Sequence, residues 1–314
     1  MKRWGAVALG GAVVALLGAV GAVGSTFVRS DLTVPSGAVA ALPAHPEVEG
    51  VSVTVIPTAR VATQHGFSVR GAPLTDPLVS AMVAVLVRHP EGPILIDAGM
   101  SRNGVAHVAT VPLLMQAIIE LELSQSVAEG LAGQGLAASD LRGVLLTHSH
   151  WDHVSGLEDL PGVPVWLTDE EQGYIAHDDG AALYRQLDAA EPVVVRRLSF
   201  DGGPYGPFPS HHDVYGDGSV VAVPMPGHSP GSVGVFVHLS DGRRLLFIGD
   251  TAWAEEGVTW PAEKPWLSRR MVDLDPARVR EQLVALHRLA AVHPELVIVP
   301  AHDERVHARL ADGG

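Results

Sequence analysis

The chain contains no cysteine. That excludes disulfides, thiolate metal sites and a cysteine nucleophile. It says little about compartment, because 314 residues with 47% hydrophobic content can build a core without covalent staples. Basic residues are scarce: 21 Lys and Arg stand against 35 Asp and Glu, for a formal net charge of -14. No nucleic-acid partner is expected, since phosphate contacts need clustered Lys and Arg. The pairs Arg243-Arg244 and Arg269-Arg270 are isolated, and no internal repeat is evident. Aromatic residues make up only 5%, yet three of the 6 Trp (Trp253, Trp260 and Trp266) fall within 253–272. That stretch reads either as an apolar lid that binds substrate or as a loop packed on the body.

One stretch lacks charge altogether. After the basic start Met1-Lys2-Arg3, residues 4–28 run 25 positions without a charged side chain. As a helix this run spans about 37 Å, enough for a hydrocarbon core of about 30 Å. A transmembrane anchor over 1–28 is therefore expected. A secretory signal is the alternative, with Ala22-Val23-Gly24 as a small-residue cleavage site. Lys2 and Arg3 predict a cytoplasmic N-terminus with the large domain outside the cytoplasm, anchored or secreted. Residues 29–50, punctuated by Pro35, Gly37, Pro43 and Pro46, read as a linker.

The remainder, 51–314, alternates short apolar runs with helical periods. Strands are expected at 51–56, 81–87, 94–96, 144–146, 163–167, 193–198, 220–223, 233–237, 245–248 and 296–299. Helices are expected at 111–131, with Leu113, Leu114, Ala117, Ile118 and Leu121 on one face, and at 169–187. A further helix from 275 to about 291 has Asp275 as N-cap and Pro276 at its first position. Strands outnumber helices and fall in two batches, which fits two packed sheets with helices outside.

The chemistry is concentrated in His148-Ser149-His150-Trp151-Asp152-His153, at the end of the apolar run 144–146. Three imidazoles and a carboxylate within six residues are the donor types that suit zinc and neighbouring first-row ions. The carboxyl end of a strand is where open α/β sheets place their chemistry. Three further runs end the same way: His228 follows 220–223, Asp250 follows 245–248 and His302 follows 296–299. Each alone reads more readily as a turn residue or cap. Four such events in order point to one metal-binding constellation.

This pattern resembles the metallo-β-lactamase superfamily: H-x-H-x-D-H, then a distant His, an Asp and a His, over roughly residues 50 to 310. The resemblance implies an α/β fold, an αββα sandwich, preceded here by the N-terminal hydrophobic helix. It implies two divalent metal ions, zinc first among them. His148, His150 and His228 would bind one; Asp152, His153 and His302 would bind the second; Asp250 would bridge them. Asp97, in Ile94-Leu95-Ile96-Asp97, would orient ligands. Asp152 would also be catalytic, orienting the nucleophile and passing a proton to the leaving group.

The expected activity is hydrolysis of an ester-like bond in a small, acyl or otherwise apolar substrate: lactone, ester or thioester. A phosphodiesterase of the same fold and a catalytically silent metal-binding domain are the alternatives. The surroundings of His228, Asp250 and His302 look most like the acyl-homoserine-lactone lactonase branch. That branch places a tyrosine three residues after the bridging aspartate, and this chain has Trp253 there.

Overall fold

Alternation with a period of two sets the architecture. In the strand Pro77–Arg88 (β2), Ala84 and Leu86 face one way while Val85 and Val87 face the other, and all four are buried. A strand buried on both faces needs a layer on each side. The structure, a computed structural model, describes residue 21 and residues 23–311 and supplies those layers.

One sheet has seven strands in the order β4-β1-β2-β3-β5-β6-β7. They are β1 Ser52–Gln64, β2, β3 Ile94–Ile96, β4 Leu121–Leu123, β5 Gly143–Leu145, β6 Val165–Leu167 and β7 Val195–Arg197. The neighbours β3, β5, β6 and β7 run parallel, while β1, β2 and β4 pair antiparallel. The second sheet has the order β12-β11-β10-β9-β8. It consists of β8 His212–Asp213, β9 Val220–Pro224, β10 Val233–His238, β11 Arg244–Phe247 and β12 Leu296–Val299. Only β11 and β12 pair in parallel there.

Three apolar seams hold four layers together. Val85, Val87, Ile96 and Leu145 meet Val233, Val235, Leu245 and Phe247 between the sheets. Leu86, Leu95 and Val144 pack outward against Leu131, Val154, Ile175 and Leu183. Val221, Phe236 and Leu246 pack on Val279, Leu283, Leu286 and Leu289 of the helix Pro276–Val292. The result is the expected α/β sandwich with two mixed sheets at its centre.

Two helical expectations are corrected. Residues 111–131 form a short helix, Leu113–Gln116, then β4, then the helix Val127–Gly133. Within them Glu120-Leu121-Glu122-Leu123 alternates with period two, and its Leu121–Leu123 pairs antiparallel with β1. Ser126 and Glu129 then form a capping box that starts a new helix. Leu113, Leu114 and Ile118 are left exposed. Residues 169–187 break into Asp169–His177 and Ala182–Ala190, because Asp178 accepts a hydrogen bond from the Gly180 amide between them.

The expected N-terminal membrane helix has no support among the described residues. None of their helices is long and apolar enough to cross a membrane. Most of the run 4–28 lies outside the described residues. Its last part leaves the helix after Ser25: Phe27 packs edge-on against Phe67, and the Phe27 carbonyl accepts from the Gly71 amide. Residues 29–50 form no helix or strand and lie along the body, where Leu42 is buried beside Val221 and Phe236.

Candidate metal centre

The seven polar residues sit in loops that leave the carboxyl ends of β5, β9, β11 and β12, and these ends meet at one edge of the sandwich. After β5 the chain turns sharply. Asp97, just past β3, makes that turn possible: its Oδ1 accepts from the Thr147 amide at 2.7 Å and its Oδ2 from the Thr147 hydroxyl at 2.9 Å. Asp97 adopts φ 56°, the one non-glycine residue with positive φ among those described. Such strain persists where the surroundings over-determine it, and sites of function collect it. Beyond β11, Gly249 has φ 50°, and a Cβ there would press on the Thr147 side chain. A glycine is needed to bring Asp250 this close to the β5 loop.

Side-chain donors then converge in three groups: His148, His150 and His228; His148, His153 and Asp250; Asp152, His153 and His302. Within each group the candidate ligand atoms lie within 4.8 Å of one another. Asp250 is central. Its Oδ1 lies 3.2 Å from His153 Nε2 and 3.0 Å from His302 Nε2, and its Oδ2 lies 3.4 Å from His228 Nε2. Asp152 Oδ2 lies 3.4 Å from His302 Nε2. His228 Nε2 and His150 Nδ1 face each other at 2.8 Å.

The ring nitrogens that point outward are all engaged. His153 Nδ1 donates to Asp97 Oδ2 at 2.8 Å, His228 Nδ1 to Asp273 Oδ1 at 2.9 Å, and His302 Nδ1 to the Ala81 carbonyl at 2.8 Å. His148 Nδ1 meets the Thr147 hydroxyl at 3.1 Å, and His150 Nε2 meets the Tyr174 hydroxyl at 2.9 Å. Pinning one nitrogen fixes the tautomer and aims the other lone pair inward, as metal sites require. The inward atoms His148 Nε2, His153 Nε2 and Asp250 Oδ1 are buried and have no hydrogen-bond partner. Orphaned buried polar atoms are rare and costly. Cations in their midst would satisfy them, so this donor set fits divalent metal ions.

Electrostatics divides the cluster. Burial, with neighbouring imidazoles adding to it, holds His148 and His150 well below the usual histidine range. Burial also opposes charge on His153, but Asp97, Asp152 and Asp250 outweigh it and raise the imidazole well above its ordinary value. His302 is raised in the same way by Asp250 and Asp152 against its burial. Burial would raise Asp250, yet His302, His228 and His153 hold it well below the carboxylate range.

Of the expected substrate residues, Trp253 joins the centre: its indole N–H donates to Asp250 Oδ2 at 2.8 Å. Trp260 packs beside Val69, Leu78 and Ala262, with the Arg29 guanidinium over its ring. Trp266 is exposed at the start of the helix Trp266–Val272.

Several residues around the centre carry no sequence spacing that announces them. Glu171 is 1% exposed and accepts from the Ser149 amide and hydroxyl, the Ser229 hydroxyl and the Gly231 amide. It thereby ties the loop carrying His150 to the loop carrying His228. A Cβ on Gly231 would collide with Thr168 and the Glu171 backbone, so that contact demands glycine. Asp273, Lys264 and Tyr174 likewise carry no marker in the sequence, and Thr147 is the residue directly before His148.

A model of the metallo-beta-lactamase superfamily matches residues 81–302, a span that takes in Asp97 and all seven clustered residues. The chain belongs to that superfamily. With this donor cluster, it is a metal-dependent hydrolase of the metallo-beta-lactamase type. It is 28% identical over 240 residues to a Mycobacterium tuberculosis protein named a probable metallo-hydrolase, covering 73% of this chain and 76% of that one. It is 28% identical over 176 residues to the N-acyl homoserine lactonase AttM of Agrobacterium fabrum, covering 54% of this chain and 64% of that one. Among solved structures, B. thuringiensis AiiA with N-decanoyl-L-homoserine bound at the active site superposes with a TM-score of 0.64 at 20% identity, over 83% of this chain and 96% of that one. AidC, a dizinc quorum-quenching lactonase, superposes with a TM-score of 0.56 at 15% identity, over 84% of this chain and 90% of that one. These structural likenesses speak to the fold.

Proposed function

We propose that this metallo-beta-lactamase superfamily member hydrolyses an ester-like bond in a small acyl substrate, with a lactone as the first choice, using two divalent ions, most simply zinc. His148, His150 and His228 would hold one ion and Asp152, His153 and His302 the other, with Asp250 between them. The observation that carries this reading is the convergence of seven donors on a buried point where His148 Nε2, His153 Nε2 and Asp250 Oδ1 lack partners. The names of the lactonase relatives support the choice of a lactone.

Divalent ions bound there would supply an activated water at neutral pH and a Lewis acid for the scissile carbonyl. The protein's part is orientation and proton handling. Asp97, Asp273 and the Ala81 carbonyl each fix one imidazole. Asp152 is the most accessible carboxylate of the cluster, with its side chain 12% exposed against 5% for Asp250. In this reading it accepts a proton from the nucleophile and returns it to the leaving alkoxide.

The test is proton release from acyl-homoserine lactones and simpler lactones by the zinc-loaded full chain, with His148→Ala as control. Turnover that vanishes in the control is the expected result. Two bound ions with no lactone turnover but cleavage of a phosphodiester would replace this reading. We further propose that residues 1–28 act as a membrane anchor or cleaved leader that places the catalytic domain outside the cytoplasm. N-terminal sequencing of the protein from membrane and soluble fractions decides that.

A further inference from the structure

Three side chains of the stretch 253–273 turn toward the donor cluster. Trp253 donates its one N–H to Asp250 Oδ2 at 2.8 Å. Lys264 is 2% exposed, and its Nζ donates to the Asp250 carbonyl at 2.7 Å and to Asp273 Oδ1 at 2.8 Å. Asp273 in turn accepts from His228 Nδ1. The Lys264 ammonium also lies 5.2 Å from the centre of the Trp253 ring, and that ring stands edge-on to His302. A buried ammonium is unfavourable unless charge and hydrogen bonds compensate it. Here both come from residues attached to the cluster.

We propose that Trp253, Lys264 and Asp273 form a three-point clamp that positions Asp250 and His228 for metal binding. They are positioning residues, acting through the side chains they hold. Trp253 grips the carboxylate of Asp250 and Lys264 grips its backbone. Asp273 is shared between Lys264 and His228, so the clamp links the central aspartate to the three-histidine side of the cluster. One consequence concerns substrate. The indole has a single donor and Asp250 occupies it, so Trp253 contributes contact surface to a bound carbonyl and no hydrogen bond. The inference rests on the metal-centre reading above.

The test uses the full chain loaded with cobalt(II), read by its visible spectrum and by competition with a chromophoric chelator. Trp253→Phe keeps the ring and removes the N–H. We expect it to weaken the affected site about 10-fold to 100-fold, the range for lost outer partners of a ligand, and to shift the cobalt bands. Lys264→Met should do the same while lowering thermal stability; if it does not fold, Trp253→Phe decides alone. A folded Trp253→Phe protein with wild-type affinity and spectrum overturns the clamp. Wild-type protein that binds no cobalt overturns the metal-centre reading and the clamp with it.

Discussion

In the wing of the cluster formed by His148, His150 and His228, most close neighbours are imidazoles. In the wing formed by Asp152, His153 and His302, they are carboxylates. The same residue type is pushed in opposite directions. His148 and His150 are held neutral by burial, with their lone pairs available for a cation. His153 and His302 favour the charged form and must release a proton before they can ligate. The outer supports differ as well. Glu171 locks the loops of the first wing through backbone amides and hydroxyls, whereas Asp97 grips His153 directly. A cation is thus offered a ready-made imidazole site beside one that opens as protons leave.

The largest expected effect removes the group the wings share. In Asp250→Ala, three imidazoles lose their common carboxylate. Activity should fall to the background of metal-stripped protein, and metal content should fall below that of wild type. Full turnover of a metal-checked Asp250→Ala protein would break the comparison, because the wings would then work independently.

Next come the two supports, which sharpen the comparison. Glu171→Ala leaves the Ser149 and Gly231 amides without their acceptor. Each unsatisfied buried group costs roughly 1–3 kcal/mol, so a loss of about 3 kcal/mol in unfolding free energy is expected. The loss of metal affinity should fall on the wing of His150 and His228. Asp97→Asn keeps the shape but removes the charge beside His153. It should weaken the other wing about 10-fold to 100-fold. Competition titrations of each variant, one site at a time, separate the two; an identical pattern in both would erase the distinction between the wings.

Much of this arrangement is legible in the sequence, for a reason that also explains what is not. The side chains that meet at the centre each follow a short apolar run, and Asp97 does the same after β3. Strand ends are readable from local pattern, so a polar residue placed just after one stands out. Glu171, Lys264 and Asp273 have no such marker. Their importance comes from burial against distant loops, and the acidic start Asp169-Glu170-Glu171 reads equally well as an ordinary helix N-terminus. The single helix expected over 111–131 fails for a related reason. Its period is real between 113 and 118, but the apolar face turns to solvent, and pairing with β1 claims Leu121–Leu123.

The smallest effect, and the most direct probe of the contrast, is the proton count. In the metal-free protein His153 and His302 have raised values, so their contribution to stability is fully present below about pH 6.5, the ordinary histidine value, and is lost as pH rises through the folded values. His148 and His150 have lowered values, so theirs is present above that pH and is lost as pH falls. The two slopes oppose each other, which makes thermal stability a blunt readout. Metal binding separates them. His302→Ala leaves the three-histidine wing intact, and zinc binding at pH 7 should then release few protons. His150→Ala leaves the carboxylate-rich wing, and the same titration should release about one proton or more per ion. Calorimetry in two buffers of different ionisation enthalpy counts them. Equal proton release from both variants would mean that the carboxylates around His153 do not govern how that wing meets its ion.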